Sequence, residues 1–173
     1  MSAVAVFHTV LGSLALASGA VVLLRPKGGR VHRITGKVYV AAMVVLCLAS
    51  FSLQDSTPFF RGFGGFHVAA LISLATVSAG AWEAWRRRPG WLSGHLQWMA
   101  WSYIGLIMAT GGHVSQPVYF ALRDVGLASG AAIGLSLFIV WGLPPIIGSR
   151  LIARRVPTWE ALGARVAPGS IAA

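Results

Sequence analysis

Five histidines are the residues in this chain whose type and spacing could do chemistry: His8, His32, His67, His95 and His113. Imidazole is a ligand for iron, zinc or copper, and it moves protons near neutral pH. His8 and His32 each have a glycine four residues further on, Gly12 and Gly36, in the similar segments FHTVLG and VHRITG. Residues four apart share a helix face. Each glycine therefore leaves a flat surface beside an imidazole, which is room for a planar macrocycle. Two imidazoles from facing helices supply the axial ligands of a six-coordinate haem iron. Three imidazoles can instead hold zinc or copper.

The elements that must position these residues are read from the basic loop RPKGGRVHR. It packs four of the chain's fourteen Lys and Arg residues into nine positions, Arg25 to Arg33, with apolar runs on both sides. A charge in the middle of a bilayer costs several kcal/mol, so the loop lies at a membrane surface. Composition agrees. The chain is 56% hydrophobic and 10% charged, with mean hydropathy +0.73, against about 25% charged for a soluble domain. In a soluble protein the high pI would suggest nucleic acid. Here the basic residues sit in short loops between apolar runs, as in membrane proteins, and no nucleic-acid partner is expected.

A span needs roughly 20 apolar residues. The chain reads as an all-α, polytopic, up-and-down bundle of about five transmembrane helices over residues 1–155, followed by a cytoplasmic tail, 156–173. The spans are expected near residues 3–24, 34–53, 63–85, 92–112 and 125–152. The stretch HVSQPVYFALRD reads as a connection. Pro144-Pro145 is expected to kink or end the fifth span, and Thr158 to cap a short surface helix. The N-terminus has no basic region ahead of its apolar run, so it reads as a retained span, not a signal peptide. Cys47 allows no internal disulfide.

Twelve of the fourteen basic residues fall on one side of this topology and two, Arg61 and Arg123, on the other. The positive-inside rule then puts the twelve in the cytoplasm of an inner-membrane protein, with the N-terminus outside and the C-terminus inside. Trp82, Trp85, Trp91 and Trp98 form an aromatic belt on the cytoplasmic side. His8, His67 and His113 fall on the outer side, His32 and His95 on the inner. In an up-and-down bundle, spans one and three face each other diagonally, as do spans two and four. His8 then pairs with His67, and His32 with His95, each pair bracketing a b-type haem, with Gly12 and Gly36 beside them. An outer zinc or copper site from His8, His67 and His113 is the competing reading. A third takes the histidines as interfacial residues and the glycines as packing, in a cofactor-free accessory subunit. Ser102, Ser115 and Ser136 have no base partner, so there is no hydrolase signature. Glu83 reads as an interfacial partner for Arg86–Arg88.

The pattern His8-x3-Gly12, then Arg25, Lys27, Gly28, His32, Arg33, Gly36 and Tyr39, then His95-x-x-Trp98-Met99 with Ser102-Tyr103, resembles a group of predicted bacterial membrane proteins of unknown function. The likeness covers roughly residues 5–115 and implies a fold, not an activity. The order of the histidines is more loosely similar to the two-haem transmembrane cytochromes b that pass electrons from ascorbate. That resemblance implies His8 and His67 on one haem and His32 and His95 on the other, although the first basic loop is shorter here. A membrane oxidoreductase is the corresponding expectation. It would work between a quinol or a redox protein and an outer acceptor, in contact with membrane lipid, as an oligomer or within a larger complex.

Overall fold

A computed structural model describes residues 3–53 and 61–166. The fold is all-α. Helix α1 spans Ala3–Leu24, α2 Arg30–Ser50, α3 Gly65–Arg86 and α4 Trp91–Asp124. Helices α5 (Ser129–Leu137) and α6 (Leu143–Val166) are joined by a π-helical turn, Phe138–Gly142, into one fifth column. Among the described residues α1 packs on α2, α2 on α3, α3 on α4, and α4 back on α1. This closes a ring in which α1 and α3 occupy opposite corners, as do α2 and α4. The fifth column lies outside the ring, its backbone against α4 alone.

Among the described residues four helices are long and apolar enough to cross a membrane: α1, α2, α3 and the fifth column over residues 129–164. Large apolar side chains on their outward faces, Leu14, Leu48, Ile72 and Leu151 among them, are exposed, as lipid-facing residues are. Helix α4 is the more polar fifth, carrying His95, Gln97, Ser102, Tyr103 and His113. It contacts α1, α3, α5 and α6, so much of its surface meets protein instead of lipid. The molecule is a membrane protein with several spans.

Two features depart from the sequence-based expectations. Helix α4 runs unbroken for 34 residues, through Pro117, so HVSQPVYFALRD is helix and not a connection. A proline inside a helix removes one backbone hydrogen bond; it does not end a helix held by neighbours on both sides. Helix α6 likewise continues through Pro157, placing Thr158 inside the helix and not at a cap. The Pro144-Pro145 pair does disturb the fifth column. Proline rings clash with carbonyls four residues back, here Val140 and Trp141, and the π turn covers both. Gln54–Phe60 and the last residues of the tail lie outside the described residues.

The core is centred on α2: Tyr39, Ala42, Met43, Leu46 and Cys47 pack with Ala15, Ala70, Val77, Met99 and Leu106. At its middle, Tyr39 reaches across the diagonal to α4. Ser102 donates to the Met99 carbonyl at 2.9 Å, so the Tyr39 hydroxyl is the donor in its 2.9 Å bond to Ser102 Oγ. Tyr103 donates to the Leu16 carbonyl of α1 at 3.1 Å. The two tyrosine rings meet over Gly19, where a Cβ would sit 2.5 Å from Tyr103 and 2.9 Å from Tyr39. Glycine there is a condition of the close approach of α1 to α4.

Candidate functional sites at the two ends of the bundle

The basic end holds His32 and His95, on diagonal helices that both start there and run in parallel. Tyr39 follows His32 by seven residues and Ser102 follows His95 by seven. Seven residues are close to two turns, within about 20° of the same face, and rise ~10.5 Å. The Tyr39–Ser102 hydrogen bond therefore fixes the register in which His32 faces His95, and the two lie within electrostatic range of each other. His95 Nδ1 lies 2.7 Å from the Gly80 carbonyl of α3. A carbonyl only accepts, so Nδ1 carries the proton and Nε2 keeps its lone pair. A backbone-anchored Nδ1–H is the usual support of a metal-binding imidazole. His32 Nδ1 is buried with no hydrogen-bond partner, while the ring also lies in hydrogen-bond range of the Val22 backbone. Beside Gly36 nothing approaches within 4 Å of where a Cβ would be.

Cations surround this end. Lys27 donates to the carbonyls of Val22 and Leu23, both at 2.8 Å, closing the C-terminus of α1, where a positive charge suits the helix dipole. Partial burial lowers its pKa below the ordinary lysine value, and it lies within electrostatic range of His32. Trp82 and Trp85 meet edge to face at 5.0 Å, with the Arg86 guanidinium 5.2 Å from the Trp82 ring. Glu83 lies against Gly94, its carboxyl carbon 3.3 Å from a Cβ built there.

The opposite end is a cavity of about 420 Å³ walled by all four ring helices, with His8, Cys47, Phe66, His67, Ser73 and His113 among its lining residues. A smaller one of about 110 Å³, between α1 and α4, shares His8 and His113 and includes Gly12. The three outer histidines thus line one space, but they differ in chemistry. His67 is 4% exposed. Its Nδ1 accepts from the Gly64 N–H at 3.1 Å, and its Nε2–H donates to the Leu53 carbonyl at 2.9 Å. Both nitrogens are engaged, and the ring ties the end of α2 to the start of α3, stacked 4.6 Å from Phe63. His8 Nδ1 is buried and unpartnered, and His8 lies within electrostatic range of His113. Among the described residues no three His, Cys, Asp or Glu side chains are grouped as a metal ion would require.

Of the sequence-derived candidates, then, His32, His95 and Gly36 share one site, and His8, His67, His113 and Gly12 another. Sequence reasoning passed over the hydroxyl node, Tyr39 with Ser102, that separates them. The matching seven-residue intervals in α2 and α4 are the signal that points to it.

No curated protein and no solved structure matches this chain, and nothing in the comparisons supports the looser relation to two-haem cytochromes b. The model of one family, described as predicted membrane protein (DUF2306), matches residues 5–145, which takes in every histidine and both hydroxyls of the node. The chain belongs to the DUF2306 family of predicted membrane proteins.

Proposed function

We propose that the protein is a transmembrane electron carrier that binds one b-type haem at its basic end, with His32 and His95 as axial ligands. The observation that carries this reading is a facing pair of imidazoles in which His95 is oriented by the Gly80 carbonyl with Nε2 available, and His32 has a buried nitrogen without a partner. A haem with two histidine ligands supplies one-electron transfer with no open coordination position. Gly36 leaves space for a flat ring, and the Tyr39–Ser102 bond closes the site toward the core. Arg30 and Arg33 are the cations nearest in sequence to His32, and Lys27 is within electrostatic range of it; cations of this kind would face the haem carboxylates. The twelve-to-two split of basic residues supports a cytoplasmic position for this end in an inner-membrane protein.

The outer pair fits less well. His67 would lose one of its two hydrogen bonds on ligating iron, so no haem is assigned to His8 and His67.

The test is the visible spectrum and the haem content of protein purified in detergent after expression with haem precursor. One haem per chain is expected, with a reduced-state α band. It should be lost in His32→Ala and in His95→Ala and kept in His67→Ala. A colourless wild-type protein, or haem retained in both variants of the basic end, refutes the reading.

A further inference from the structure

The geometry points to the outer cavity as a binding site for the ring of a lipid-soluble quinol or quinone, hydrogen-bonded by His8. The site rests on the cavity itself; only its use as an electron source for the basic end rests on the haem reading above.

The volume, about 420 Å³, lies within the ~300–1,000 Å³ of small-molecule sites. The walls are largely aliphatic, from Met43, Leu46, Ala70 and Leu106, and Phe66 adds an aromatic face. Among the described residues no Lys, Arg, Asp or Glu lines the cavity. A charged ligand would find no counter-ion among them, which favours a neutral occupant. For the same reason the cavity is poorly suited to a haem, whose two carboxylates need cations of the kind found at the other end.

A lipid acyl chain would fill the volume but offer the His8 imidazole, which lines the cavity, no hydrogen bond. A ring bearing a carbonyl or hydroxyl oxygen supplies one. Imidazole meets either oxidation state, accepting from a quinol hydroxyl in one tautomer and donating to a quinone carbonyl in the other. His113, in electrostatic range of His8, lines the same wall. His67 cannot share this role without giving up a bond to Gly64 or Leu53. The floor of the cavity is Met43, four residues, or ~6 Å of helix, beyond the Tyr39–Ser102 node. The buried core around that node, with Tyr39, Met43, Val77 and Met99, separates a ring bound here from the basic end.

Equilibrium binding of decylubiquinone to the detergent-purified chain tests the site. Wild type should bind saturably at one site per chain. His8→Ala should weaken binding about tenfold, the loss of one hydrogen bond of ~1.4 kcal/mol. Ala109→Phe, which fills the wall, should abolish binding while the protein elutes as the wild type does. Binding is expected whether or not the chain holds haem, so failure of the haem reading leaves this result standing. Absence of saturable binding in wild type overturns the proposal. Equal binding in His8→Ala and Ala109→Phe overturns it too. So does a second haem per chain that His8→Ala removes, which would make the cavity a haem site.

Discussion

The two ends of the bundle use the same side chain for opposite purposes. At the basic end, His95 gives one nitrogen to a backbone carbonyl and keeps the other, and its neighbour His32 has a nitrogen with no partner at all. At the opposite end His67 gives both nitrogens to the backbone and becomes a clamp between two helices. His67 is also the more buried, at 4% exposure against half-buried His32 and His95, but burial alone does not make a clamp. The number of ring nitrogens already held by the protein separates the roles, because an imidazole with both nitrogens engaged has nothing left to offer a ligand without breaking a bond.

The comparison is sharpened most by the all-or-none result at the basic end. His32→Ala and His95→Ala should each remove the haem completely while helix content by circular dichroism stays unchanged. If His67→Ala removed it instead, the two ends would have been assigned the wrong way round.

Next in size is the clamp. His67→Ala leaves the Gly64 N–H and the Leu53 carbonyl without their partner and opens a void among Phe51, Phe63 and the missing ring. A loss of about 2–4 kcal/mol is expected from these terms together, read as a lowered unfolding midpoint in detergent. His67→Gln, which can donate and accept, should recover part of it. A midpoint unchanged in His67→Ala would mean that the clamp carries no stability.

Gly19→Val tests the crossing between the ends. The new side chain collides with Tyr103 and Tyr39, and overpacking of this kind costs about 1–3 kcal/mol. Both sites should weaken together, because both depend on how closely α1 approaches α4. The smallest effect belongs to Tyr39→Phe. It removes the bond to Ser102, about 1 kcal/mol, while Ser102 keeps its bond to Met99. A slight fall in stability is expected, with a broadened haem spectrum as the register of His32 against His95 loosens. Unaltered spectrum and stability would show that helix packing alone sets the register.

Much of this was legible in the sequence. The basic loop and the apolar runs gave the all-α membrane bundle, and its up-and-down order put α2 diagonal to α4, hence His32 opposite His95. The same logic put His8 and His67 at one end of the bundle, and both line the cavity there. It could not reveal that His67 is already held, because one partner is a carbonyl just past the end of α2 and the other an amide at the start of α3. Those bonds come from where the chain turns, which apolar periodicity does not encode. The length of α4 was hidden for a different reason. Pro117 is a strong local signal for a break, and α4 overrides it through contacts with α1, α3 and the fifth column. Pro144-Pro145 was read more accurately, since the fifth column has backbone support on one side only and its disturbance there becomes a π turn.

That one-sided attachment also matters for the order in which the chain is made. Every residue named at either end, from His8 to His113, and every contact that closes the ring precedes Asp124. When the fifth column leaves the ribosome, the four helices it joins have already been synthesised and their ring can close without it. The column then docks as a late brace on the exposed side of α4. Chains tend to assemble unit by unit from the N-terminus, so a defect in residues 129–166 strikes a bundle whose interior is already built.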